Sequence, residues 1–211
     1  MHHQDIESYI LAHSDQEDPL LAELNRETHV KLLRARMVSG PLQGKILEMI
    51  SKMMRPEKII EIGTFTGYSA LCLAKGLSTN GQLDTIEIND ELESFANKYF
   101  ARSNHAKQIN QHIGDASNIL PKLEGPYDVA FIDGDKRQYV SDYELVLQRM
   151  RQGGIILADN VLWSGKVVEL SSPDDDYTKG IMEFNEFVKN DKRVEKVILP
   201  LRDGLTLIRK L

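Results

Sequence analysis

Ile59-Ile60-Glu61-Ile62-Gly63-Thr64-Phe65-Thr66-Gly67-Tyr68-Ser69 passes from a short apolar run into a helical period through a turn that holds two glycines. Glycine permits both a tight strand-to-helix turn and close backbone approach by a ligand. Twenty residues beyond Gly67, at the end of the next apolar run, stands Glu87. At that distance an acidic residue accepts hydrogen bonds from ribose hydroxyls. A dinucleotide fingerprint needs a glycine where this chain has Phe65, because the backbone must reach the pyrophosphate. No Gly-Lys-Ser/Thr phosphate loop is present either. A nucleoside without a pyrophosphate fits better, and S-adenosylmethionine is the common ligand of that description. The same turn also serves as a plain corner in α/β folds, so the glycines alone leave both readings open.

Working outward, short runs rich in Ile, Val and Leu alternate with helical periods, the pattern of a parallel α/β sheet. Strands are expected at Lys58–Ile62, Leu83–Ile88, Ile109–Ile113, Tyr127–Ile132, Ile155–Ala158, Val194–Leu199 and Leu205–Ile208. Helices are expected at Tyr68–Gly76, Asp90–Arg102, Val140–Arg151 and Lys179–Lys189. Pro200 to Gly204 leaves no room for a crossover helix, so the last two strands should pair antiparallel as an edge hairpin. Residues 1–55 read as helices, Gln16–Arg36 and Leu42–Met54, broken at Ser39-Gly40-Pro41. These helices either cap the sheet or pair subunits. The expected architecture is one domain over 1–211: a helical extension (1–55) on a doubly wound α/β core (56–211).

Ligands of such sheets bind beyond the carboxyl ends of the strands, and there the chain is acidic. The fourth strand ends in Asp133-Gly134-Asp135-Lys136 and the fifth in Asp159-Asn160. Neighbouring strands lie ~4.8 Å apart, so Asp133, Asp159 and Asn160 can converge on one ion. Their hard oxygen donors suit Mg²⁺, Ca²⁺ or Mn²⁺, whereas the six histidines show no zinc-like spacing. Asp-Asn pairs also serve as turns and caps, which is the alternative. Lys136, three residues after Asp133, is placed to act as a general base toward a hydroxyl whose pKa the metal lowers. Its other reading is as an ion-pair partner of Asp133 or Asp135.

Bulk properties narrow the class. With 211 residues, 41% hydrophobic and 27% charged, the chain has ordinary globular composition. No run approaches the ~18 apolar residues of a membrane span, and Met1 to Asp5 shows no secretory signal. The net charge of −6 argues against broad nucleic-acid binding, which rests on phosphate neutralisation. The Lys31–Arg36 stretch reads as a solvated helix face, and Ser171–Asp176 as a surface loop. Cys72 stands alone among apolar neighbours and reads as a small buried hydrophobe, consistent with a reducing, cytoplasmic setting.

The ordered set of segments resembles the caffeoyl-CoA and catechol group of metal-dependent O-methyltransferases, in its bacterial and plant branch. It comprises Ile59–Ser69, Thr85-Ile86-Glu87, Gly114-Asp115-Ala116-Ser117, Phe131–Lys136, Ala158–Gly165 and Asp203-Gly204-Leu205-Thr206. The resemblance implies a Rossmann-like class I methyltransferase fold with seven strands, in a homodimer. It implies Asp133, Asp159 and Asn160 as metal ligands, with Mg²⁺ the first choice, and Lys136 as base beside Asp133. It places Met37, Ser39, Glu61, Gly63, Thr64, Phe65, Ser69, Glu87, Ala116 and Asp135 around S-adenosylmethionine. Trp163 would stand beside a small-molecule acceptor of catechol or caffeoyl type, or serve as a packed aromatic. Some bacterial relatives resemble tRNA 5-hydroxyuridine methyltransferases, a rival acceptor that the core segments do not separate. A non-catalytic adenosyl-ligand binding protein is the rival from another class, against which the complete metal set and Lys136 speak.

Overall fold

Seven strands form one sheet in the order β3-β2-β1-β4-β5-β7-β6 in the computed structural model, which describes residues 3–169 and 175–211. They are β1 (Lys58–Ile62), β2 (Gln82–Glu87), β3 (Ile109–Ile113), β4 (Tyr127–Ile132), β5 (Met150–Asp159), β6 (Val194–Leu199) and β7 (Leu205–Lys210). The first five run parallel, and β7 enters antiparallel between β5 and β6. The α-helices are α1 (His3–Ala12), α2 (Pro19–Lys31), α3 (Gly40–Met54), α4 (Tyr68–Ala74), α5 (Glu93–Phe100), α6 (Ala116–Ile119), α7 (Tyr139–Arg149) and α8 (Asp176–Asn190). The chain winds outward from β1 in both directions, so strand order reverses between β1 and β4.

Strand residues alternate between two cores, as period-two geometry requires. Ile60, Ile62, Ala130, Ile132, Ile156 and Ala158 pack beneath α7 and α8 with Tyr139, Tyr143, Val146, Ile181 and Phe184. Ile59, Val129, Phe131 and Leu157 pack on the opposite face with Leu24, Leu47, Leu73 and Tyr99. Leu21, Leu24 and Leu47 are buried there, so α2 and α3 cap the sheet. Cys72 lies in the same core, as expected of a small hydrophobe.

Several bounds differ from the sequence expectation, and three of the differences have a clear physical reason. β5 starts at Met150, not Ile155, because Met150 pairs with Tyr127 across a register shift; the intervening Arg-Gln-Gly-Gly has no apolar alternation to reveal it. Helix α3 begins at Gly40, with Pro41 in its first turn, where proline's missing N–H costs no hydrogen bond. Helix α1 went unread because Tyr9, Ile10 and Leu11 stay exposed, leaving no buried stripe to set a period. Of the expected surface loop, residues 171–174 lie outside the described residues, while Asp175 caps α8 by accepting from Thr178 N–H.

Candidate active site

The ends of β1 and β4 meet at Gly63. Its φ is +101°, and a Cβ there would lie 2.4 Å from Asp133 O. Asp133 N–H in turn donates to Ile62 O at 2.8 Å. Two residues along the turn, Phe65 is left-handed (φ 47°), and its N–H donates to Glu87 Oε2, 2.7 Å away. Asn89 N–H donates to Glu87 Oε1 at 2.9 Å. Two backbone amides thus hold the Glu87 carboxylate at the mouth between β1 and β2, with lone pairs left over for a ligand.

Below this mouth, Thr64 and Thr85 share a 2.5 Å hydroxyl hydrogen bond and Thr85 donates to Glu61 Oε2 at 2.5 Å. Glu61 Oε1 is buried with no hydrogen-bond partner among the described residues. Burial pushes the Glu61 carboxyl up to about 8; the Ser69 and Thr85 hydroxyls oppose that rise, and the charges of Asp133 and Glu87 reinforce it. A buried carboxyl oxygen without a partner is costly. It therefore suits a ligand that brings a donor or a positive charge, as an amino acid sulfonium does. Ser39 and Ser69 are buried, as is Ala116 at the start of α6. Met37 is half exposed on the short turn Ala35–Met37. Asp135 accepts from Arg137, and that hydrogen bond holds its carboxyl below the ordinary value.

The acidic ends of β4 and β5 lie side by side. The pairing Ile132↔Ala158 carries Asp133 in register with Asp159. Lys136 Nζ donates to Asp133 Oδ1 at 2.6 Å and to Tyr139 OH at 2.5 Å. Tyr139 OH donates to Asp159 O at 2.9 Å. Lys136 therefore pairs with Asp133, while Asp135 is taken by Arg137. Asp159 is buried, and its carboxyl is raised first by burial and then by the charge of Asp133. Two neighbouring carboxylates that repel each other, one of them buried, are a donor set that a cation relieves. Asn160 follows in the left-handed region (φ 57°), which asparagine tolerates better than most residues.

Trp163 packs against the α7–α8 core, and its ring lies nearly parallel to that of Tyr177 with centroids 6.2 Å apart. The Arg137 guanidinium stands 5.0 Å from the Tyr177 ring centroid. Two residues in the acidic cluster were not foreseen. Tyr139 was legible in principle, three positions after Lys136. Gln43, whose Nε2 donates to Asp159 Oδ2 at 2.7 Å, comes from a helix 116 residues away in sequence and gave no local signal.

Known proteins resemble this chain over nearly its whole length. A family model described as O-methyltransferase matches residues 11–211. The caffeoyl-CoA O-methyltransferase of Stellaria longipes is 32% identical over 219 residues, covering 98% of this chain and 90% of the relative. The catechol O-methyltransferase of the bacterium Niastella koreensis is 33% identical over 204 residues, covering 91% and 90%. Among solved structures, the O-methyltransferase TomG of Streptomyces achromogenes, in complex with SAM, superposes with a TM-score of 0.91 at 28% identity. That superposition covers 100% of this chain and 99% of TomG.

Proposed function

This chain belongs to the O-methyltransferase family and is an enzyme of that class, and from that premise we propose that it moves a methyl group from S-adenosylmethionine to a catechol-like hydroxyl with the aid of a divalent cation. The observation that carries this reading is the partly buried Asp133–Lys136 pair, with Asp133 in strand register with Asp159. Asp133, Asp159 and Asn160 would hold the cation, Mg²⁺ by the hardness of the donors. A bound divalent cation lowers the pKa of a coordinated hydroxyl.

The remaining work falls to side chains. With Asp133 engaged by the cation, Lys136 would lose its counter-ion and favour the neutral amine, whose Nζ, still beside Tyr139, accepts the proton of the acceptor hydroxyl. The oxygen then attacks the sulfonium methyl in line as the methyl–sulfur bond breaks, and the sulfur keeps the bonding pair and leaves as the neutral thioether S-adenosylhomocysteine. Glu87 receives the ribose hydroxyls, and the unpartnered Glu61 Oε1 receives the amino acid end of the methyl donor. Holding donor and acceptor in line supplies much of the rate. Trp163 and Tyr177 offer flat apolar faces suited to a planar aromatic acceptor. A homodimer belongs to the same reading, supported by the exposed apolar side chains Val30, Leu33 and Met53.

The test is methyl transfer from labelled S-adenosylmethionine to a panel of catechols and caffeoyl-CoA, with Mg²⁺ and with chelator. Transfer that vanishes with chelator is the expected result. Transfer that survives complete metal removal would overturn the cation's part. Transfer only to tRNA lacking the modification would move the acceptor to RNA.

A further inference from the structure

The turn between β6 and β7 reaches the acidic site by two routes. Gly204 O accepts from Val161 N–H at 3.2 Å and Asp203 O accepts from Leu162 N–H at 2.9 Å, which anchors the residues directly after Asn160. The second route is a side-chain relay. Arg202 Nη1 donates to Ser39 O and to Gln43 Oε1 at 2.8 Å. Gln43 Nε2 donates to Asp159 Oδ2 at 2.7 Å.

The relay has a single polarity. A guanidinium only donates and a carboxylate only accepts, so the amide between them must turn its oxygen to Arg202 and its N–H to Asp159. Gln43 is 1% exposed, so water does not compete for either bond. Asp159 Oδ1 accepts from Asn160 N–H at 2.8 Å. Each carboxylate oxygen is thus gripped once, and the plane of the group is set from outside the strand that carries it.

Arg202 holds this position at a cost. Its φ is +49°, a left-handed conformation that strains an ordinary side chain and that glycine adopts freely. A glycine would ease the turn but supply no guanidinium. Strain of this kind is kept where the surroundings over-determine it.

We propose that Arg202 and Gln43 are positioning residues that aim the Asp159 carboxylate for the divalent cation; this rests on the cation reading given above. Groups that orient metal ligands from behind raise metal affinity, and losing one weakens binding by about 10- to 100-fold. The Ser39 O contact ties the same arginine to the N-terminus of α3, so the hairpin, the helix and Asp159 are joined by one set of hydrogen bonds.

The experiment titrates Mn²⁺ into the wild-type protein, Gln43→Met and Arg202→Gly by calorimetry, with thermal unfolding of each metal-free protein alongside. Gln43→Met keeps the shape of the side chain and removes both hydrogen bonds; its Mn²⁺ Kd should rise about 10- to 100-fold. Arg202→Gly should weaken Mn²⁺ binding in the same direction, while the backbone strain it relieves offsets part of the stability lost with its two hydrogen bonds. A purely structural role would show a lower Tm with unchanged Kd, and that result overturns the relay. Arg202→Gly alone decides the matter if Gln43→Met does not fold. Wild-type protein that takes up no Mn²⁺ saturably would overturn the cation reading itself, and the relay with it.

Discussion

Lys136 and Asp133, three residues apart, form a 2.6 Å ion pair in which the lysine is only 6% exposed. The ammonium is further bound to Tyr139 OH, so a side chain that is usually mobile is held at one point above the ends of β4 and β5. On the proposed function, that position pre-organises Lys136, once in its amine form, for the hydroxyl it would serve.

Replacing Lys136 with alanine should lower kcat by about 10²- to 10⁴-fold, the usual worth of a general base. Lys136→Arg should fail similarly, since a guanidinium does not give up its proton. S-adenosylmethionine binding, followed by calorimetry, should be little changed in both. Near wild-type kcat in Lys136→Arg would exclude the base role.

Asp133→Ala and Asp159→Ala should each abolish the Mg²⁺-stimulated part of turnover while the methyl donor still binds. The check is activity against Mg²⁺ concentration, paired with donor affinity. A variant that keeps both its rate and its Mg²⁺ dependence would remove that residue from the ligand set.

Gly63→Ala combines a strained φ with a Cβ placed 2.4 Å from Asp133 O. Neither can be relieved by rotating a side chain. A loss of roughly 1–3 kcal/mol in unfolding free energy is expected from the backbone term alone. Urea unfolding measures it, and a neutral result would mean that the β1 and β4 ends separate easily.

Glu61 predicts a pH dependence. Its folded-state value, about 8, lies above the ordinary 4.5, so the native protein keeps a proton that the unfolded chain releases. Stability should therefore fall as pH rises from about 4.5 to about 8. Glu61→Gln keeps the shape without the titration, and its Tm should vary less across that window than the wild-type Tm. Parallel profiles for the two proteins would show that Glu61 is already ionised in the fold.

Much of the fold was legible because its signals are local. Four of the seven strands, Lys58–Ile62, Ile109–Ile113, Tyr127–Ile132 and Val194–Leu199, have the expected bounds. Each is followed directly by Gly63, Gly114, Asp133 or Pro200, residue types that bound strands. The antiparallel pairing of β6 and β7 followed from loop length alone. Helix ends drifted where propensity was weak: α2 stops at Lys31, with Leu32 extended, although the helical period runs on to Arg36.

Read by itself, the chain determined which residues lie at strand ends, and so which carboxylates and which lysine share one mouth. Strand period, turn chemistry and a short reach along the backbone suffice for that. Packing alone decided what holds those groups still. Gln43, Asp159 and Arg202 are joined by hydrogen bonds spanning 116 and 159 positions, and the orphaned oxygen of Glu61 exists only because α4 and the sheet exclude water from it. Contacts of that kind leave no period in the sequence, since their partners are chosen by how the layers close and not by distance along the chain.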